Sequence, residues 1–249
     1  VRILAAGGEG SGKSLLVLSA AKLGGLAVAD PEFGMHNYLM PHPNGEAKRF
    51  TLIPRVKALL GIDAATDPLI AWIQSNDLSQ IRSFMEAASK DPAFPTLAID
   101  SASILWDIAS SAVKGGEDRG EWNRVKQPLR MLQYLVLSSR KHYIFTAHMN
   151  KAFNQDMTQV IGELPWSEKK DPHWGDLNIK MMMTAEGPKA MVLKERSAGL
   201  LKKGDFITKP SLEKILKIWQ AGDMIGTPLE PNEAAYRVDV AGRKAEAPK

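Results

Sequence analysis

Eight residues constrain this chain more tightly than any others: Gly7-Gly8-Glu9-Gly10-Ser11-Gly12-Lys13-Ser14 fits the pattern G-x-x-x-x-G-K-[ST]. They stand between an apolar run, residues 1–6, and a stretch with apolar residues at helical spacing, residues 13–23. Strand, glycine-rich turn and helix in that order is the setting in which the pattern has a mechanism. The glycines let backbone N–H groups close around phosphate oxygens, and the helix N-terminus adds its positive dipole end. Lys13 is expected to reach the β- and γ-phosphates and Ser14 to ligate Mg²⁺. Gly7, Gly8, Glu9, Gly10, Ser11, Gly12, Lys13, Ser14 and Leu15 form the candidate nucleotide-binding segment, and ATP and Mg²⁺ are the cofactors it implies.

A phosphate loop of this kind needs acidic partners, and the sequence offers them at strand ends. Asp100 closes the apolar run Leu97-Ala98-Ile99, which puts a carboxylate at the carboxyl end of a central strand, where it orients Mg²⁺. Asp30-Pro31-Glu32 follows a second short apolar strand. Glu32 is the candidate for polarising the attacking water, although Asp-Pro is also ordinary turn chemistry. His148 follows Tyr143-Ile144-Phe145-Thr146-Ala147 and should project from the same edge, as a sensor of the γ-phosphate or as a structural, hydrogen-bonded histidine. Lys194-Glu195-Arg196 ends the last apolar strand, and two cations two positions apart on an extended backbone point the same way. They are either a solvated strand end or a pair that reaches a neighbouring subunit's phosphates.

Strands alternate with helices through most of the chain. Strand-like runs fall at residues 25–29, 49–53, 95–99, 143–147, 177–185 and 189–193, and helical ones at 77–90, 101–113, 121–140 and 211–219. Residues 148–176 read as one long mixed loop. The pattern predicts an α/β fold: a mainly parallel central sheet with helices on both faces, antiparallel strands towards the C-terminal end, and the nucleotide outside the strands' carboxyl ends. Residues 1–226 are expected to form one domain. Residues 227–249, rich in Pro, Ala and Lys, read as a mobile tail. Met181-Met182-Met183 reads as strand core.

With no cysteine among 249 residues, disulfide frameworks, thiolate metal sites and cysteine nucleophiles are excluded. No apolar run approaches the roughly 18 residues of a membrane span, so a soluble protein is expected, and the nucleotide chemistry of the loop points to the cytoplasm. The net charge of +4 permits an acidic partner, and residues 194–217 hold seven basic residues against three acidic, whereas residues 141–180 hold five of each.

The order of these features (phosphate loop, D-x-E, strand-end Asp-Ser, strand-end polar residue, K-x-R) resembles the RecA/DnaB/KaiC branch of P-loop ATPases. Ile99-Asp100-Ser101, Trp122 and Thr146-Ala147-His148 look further like the compact ATPases of tailed phages, among them single-strand annealing recombinases of the Sak type. The resemblance implies a RecA-like ATPase core, Glu32 as the water-activating carboxylate and Lys194 with Arg196 acting across a subunit interface. It also implies self-assembly into rings or filaments, and single-stranded DNA at the segments after the Asp100 helix and after the sensor strand. There the candidate contacts are Lys114, Arg119, Trp122, Lys151, Trp166, Lys169, Lys170 and Trp174, with bases stacking on Trp166 or Trp174. The charge balance of the second segment departs from a DNA-binding surface. Three other functions share the same ATP site: a helicase or packaging motor, a nucleotide-dependent switch that scaffolds proteins, and a small-molecule kinase with K-x-R in its lid.

Overall fold

The computed structural model describes residues 1–43, 49–111, 119–153, 156, 158–166, 175–196 and 201–223. In chain order the elements are β1 (Arg2–Gly7), α1 (Lys13–Ser19), β2 (Leu26–Asp30), β3 (Leu39–Pro41), β4 (Arg49–Leu52), α2 (Pro54–Leu60), β5 (Ile70–Gln74), α3 (Leu78–Lys90) and β6 (Thr96–Ile99). Then follow α4 (Ala102–Ser111), α5 (Arg119–Ser138), β7 (His142–Phe153), β8 (Val160–Trp166), β9 (Leu177–Thr184), β10 (Gly187–Glu195), β11 (Phe206–Thr208) and α6 (Leu212–Asp223). Lys114, Lys169, Lys170, Trp174 and the tail over residues 227–249 lie outside the described residues, as do the side chains of Arg119 and Trp166.

One sheet organises the molecule, in the order β11-β10-β9-β1-β7-β6-β2-β5-β4-β3. The six central strands β9, β1, β7, β6, β2 and β5 pair in parallel. Antiparallel strands close both ends, β10 and β11 on one side and β4 and β3 on the other. Parallel strands are buried on two faces, which is why β1 and β2 read as unbroken apolar runs. Ile3, Ala5 and Val28 face one core with Leu16, Val17, Val56 and Ile215 from α1, α2 and α6. Leu4, Ala6 and Ala29 face the other, with Ile81, Met85, Leu105, Leu129 and Leu132 from α3, α4 and α5.

Several boundaries differ from the sequence expectation for physical reasons. The first helix stops at Ser19 and closes as a 3₁₀ turn, Ala20–Leu23. The Ser19 hydroxyl donates back to Leu16 O at 2.6 Å and accepts from Leu212 N at 2.9 Å, tying α6 to α1. Residues 148–176 are not one long loop: β7 continues through His148 to Phe153 and pairs antiparallel with β8. This hairpin projects beyond the parallel strands, so its mixed polar and apolar residues carry no core periodicity. β5 joins β2 in parallel as a strand the composition did not mark, and α2 opens on Pro54, which fits a first helical turn. Met183 is 53% exposed although it shares a strand face with buried Met181, because the pairing of β9 with β1 ends at Met181.

Candidate functional site

Strands β1, β2, β6 and β7 run in parallel, so the segments after Gly7, Asp30 and Ile99, together with His148 in β7, meet at one edge of the sheet. The loop there needs its glycines. Gly10 and Gly12 have φ of 68° and 92°, backbone that side chains disfavour. A Cβ at Gly7 would sit 2.5 Å from Ser11 Oγ and 2.6 Å from Met181 O. A Cβ at Gly8 or Gly10 would meet nothing within 4 Å, so the mouth of the loop is open space. Lys13 Nζ donates to the carbonyls of Gly7 and Gly8, at 2.9 and 2.8 Å. Burial lowers the pKa of its ammonium, against the opposing charges of Asp100, Glu32 and Glu9.

Ser14 and Asp100 are in contact. The Ser14 hydroxyl donates to Asp100 Oδ2 at 2.7 Å, and the Thr146 hydroxyl from β7 donates to Oδ1. Asp100 is 4% exposed, and burial raises its pKa; the two hydroxyls pull it back, while Glu32 and Asp30 add to the rise. A desolvated carboxylate beside a hydroxyl, flanked by further carboxylates, is a hard oxygen set short of positive charge. That chemistry fits Mg²⁺.

Glu32 and His148 also meet: His148 Nε2 lies 3.1 Å from Glu32 Oε1, and both side chains are about one-third exposed at 33% and 37%. Each is held from behind. Fully buried Asp30 accepts from the N–H groups of Gly34 and Met35 at 3.1 and 2.8 Å and from Trp72 Nε1 at 3.3 Å, which fixes the turn that carries Glu32. Burial raises the Asp30 pKa against those hydrogen bonds. Ser103 Oγ in α4 accepts from His148 N at 2.8 Å.

Lys194 and Arg196 are placed elsewhere. Glu195 pairs with Leu177, which pairs with Ile3, whereas the glycine-rich loop follows Gly7 opposite Met181. The pair therefore sits at the amino edge of β1 and β9, four residues or about 13 Å of backbone below the loop. A register shift lies between Val192 and Lys194. Trp122 packs on Trp106 with ring centroids 6.0 Å apart, and Lys126 Nζ lies 5.3 and 5.5 Å from the two rings. Lys151 is exposed on the β7–β8 hairpin.

Sequence reasoning missed Thr146, Ser103, Arg2 and Asp176. Thr146 had a signal, since it lies two positions before His148 and shares its side of the strand. The others are polar residues marked only by their spatial partners.

No protein-family model and no curated protein matches this sequence. Among solved structures the chain is similar to the RadB recombinase, at 13% identity over 83% of this chain and 84% of that one, with a TM-score of 0.49. The strand order, with β7 between the loop strand β1 and the Asp100 strand β6, and the loop at the carboxyl edge define an α/β protein with a mainly parallel central sheet. Among the described residues no helix is long and apolar enough to cross a membrane.

Proposed function

We propose that this protein is a Mg²⁺-dependent ATPase that assembles into rings or filaments and acts on single-stranded DNA, in annealing or recombination of the Sak phage type, within the cytoplasm of a bacterial or phage-infected cell. One observation carries the reading: Lys13, Ser14, Asp100, Glu32 and His148, drawn from separate stretches of sequence, surround one open loop. The loop N–H groups and Lys13 hold the phosphates, and Lys13 exchanges its two carbonyl partners for phosphate oxygens. Ser14 and Asp100 would hold Mg²⁺, which neutralises phosphate charge when bound. Glu32 takes a proton from water as the water oxygen bonds to the γ-phosphorus; the bond to the bridging oxygen breaks, and ADP leaves with that electron pair. His148 orients Glu32 and, as the first paired residue of the hairpin, senses what the hairpin touches. Lys194 and Arg196 complete a neighbour's site. Residues 1–226 form the ATPase unit.

A second reading, a nucleotide-dependent switch that holds a protein partner, is favoured by one feature: the hairpin exposes Val160 and Leu164, 52% and 61% accessible, while Glu163 is paired with Lys180 at 2.6 Å. Turnover of ATP with and without single-stranded and duplex DNA, at two salt concentrations, separates the readings. Stimulation by single strands that weakens with salt is expected. Stimulation by duplex with directional movement means a motor, and turnover indifferent to both DNAs means the protein switch.

A further inference from the structure

The turn that carries Glu32 is set from inside the core. Asp30 closes β2 fully buried, and a carboxylate there is costly unless it is hydrogen-bonded. It meets neutral N–H donors: Oδ1 accepts from Gly34 N at 3.1 Å, and Oδ2 from Met35 N at 2.8 Å and Trp72 Nε1 at 3.3 Å, while the Phe33 N–H adds to the hold. Phe33 has a φ of 64°, left-handed backbone that a bulky residue keeps only where its surroundings over-determine it. Successive N–H groups aimed at one carboxylate do so, as in the backbone nests that bind anions. Fully buried Met35 pins the far side of the turn. Trp72 ties the same carboxylate to β5, which pairs with β2 in parallel, and its ring packs T-shaped on Phe50 of β4 at 5.0 Å. Glu32 thus rides on a turn braced from β2 and β5, with its carboxylate 3.1 Å from His148 Nε2. That is more support than a surface turn needs, and it falls on the residue read as the water-activating base.

We propose that Asp30 is the positioning residue for Glu32: locked by the Trp72 indole, it acts through the turn to hold the Glu32 carboxylate where that group accepts a proton from the attacking water. This rests on the nucleotide reading of the site and adds to it a kinetic role for a buried residue that does not itself touch the nucleotide. The alignment matters because a displacement of about 1 Å at a reacting group can cost roughly 100-fold in rate. An acceptor that served only to fold the turn would make the same hydrogen bonds. The two roles part in whether the loss on removing Asp30 depends on Glu32.

The test uses the full chain, with steady-state ATP turnover, equilibrium ATP binding and melting temperature. It compares wild type, Asp30→Asn, Trp72→Phe and Glu32→Gln, with the first two changes also combined with Glu32→Gln. In Asp30→Asn one oxygen becomes an NH₂ group facing N–H donors, and kcat should fall about 10- to 100-fold with ATP affinity unchanged. Trp72→Phe removes only the indole N–H and should cost about 2- to 5-fold; it carries the test if Asp30→Asn does not fold. In the Glu32→Gln background neither change should lower kcat further by more than about twofold, because both act through the group already removed. Wild-type kcat in folded Asp30→Asn and Trp72→Phe overturns the proposal alone. So does a loss of equal size with and without Glu32, or a kcat loss matched by lost ATP affinity. Wild type that neither binds nor turns over ATP, or Glu32→Gln with wild-type kcat, overturns the reading of the site as well.

Discussion

The two edges of the parallel sheet contrast in how their polar groups are satisfied. At the carboxyl edge the groups answer one another: Ser14 and Thr146 bond Asp100, His148 meets Glu32, and Lys13 rests on its own loop carbonyls. At the amino edge Asp176 takes the Arg2 guanidinium on its carboxylate and the Arg196 N–H on its backbone carbonyl. Buried or crowded charge is costly without a partner, and each edge supplies partners in its own way. The carboxyl edge joins groups that follow separate parallel strands, whereas the amino edge joins Arg2 of β1 to Asp176 just before β9.

The largest expected effect breaks the contrast from the amino edge. Arg196→Ala should reduce turnover by roughly 10³-fold or more while ATP binding is retained; unchanged turnover in the assembled protein would remove the division of labour between the edges. At the carboxyl edge, Glu32→Gln should lower kcat by about 10²- to 10⁴-fold. His148→Gln should cost less, because a neutral amide can still hold Glu32, and single-turnover kinetics will show whether the loss lies in the chemical step.

A smaller effect concerns stability. Burial holds the Asp100 carboxyl above the ordinary aspartate value of 3.8, so the folded protein binds this proton more readily than the unfolded chain does. In that window stability falls as pH rises, since the carboxylate ionises more easily once unfolded. Asp100→Asn should therefore make the nucleotide-free protein more stable at neutral pH, by about 1 kcal/mol, and flatten part of the fall. Asp30, raised in the same direction, keeps the remainder. Denaturation of both proteins between pH 4 and 8 measures this, and the same variant should lose Mg²⁺-dependent nucleotide binding.

The loop was legible in the sequence because its chemistry is local: eight consecutive residues carry the glycines, the lysine and the hydroxyl. Asp100, Glu32 and His148 were legible for a related reason, since apolar strands ending in polar residues converge once the strands are parallel. What escaped was pairing at long range. Arg2 meets Asp176 across 174 positions, and neither residue belongs to a motif. Thr146 went unread although it lies two positions before His148 on the same side of the strand, because its acceptor Asp100 stands 46 positions away. The β7–β8 hairpin escaped because periodicity reports a buried face, and the exposed Val160 and Leu164 gave none. β5 was overlooked although Asp67-Pro68 before it and Ser75-Asn76-Asp77 after it are turn punctuation.

Thermal unfolding with ATP, in the presence and absence of Mg²⁺, tests the nucleotide site most directly. A ligand that binds only the folded state stabilises it by about 2.7 kcal/mol at a hundredfold excess over Kd, which for a domain of this size raises Tm by roughly 5–11 °C. A rise of that order in wild type, dependent on Mg²⁺ and absent in Lys13→Ala, is the expected result. No shift in wild type, or an equal shift in Lys13→Ala, would contradict a nucleotide site at this edge.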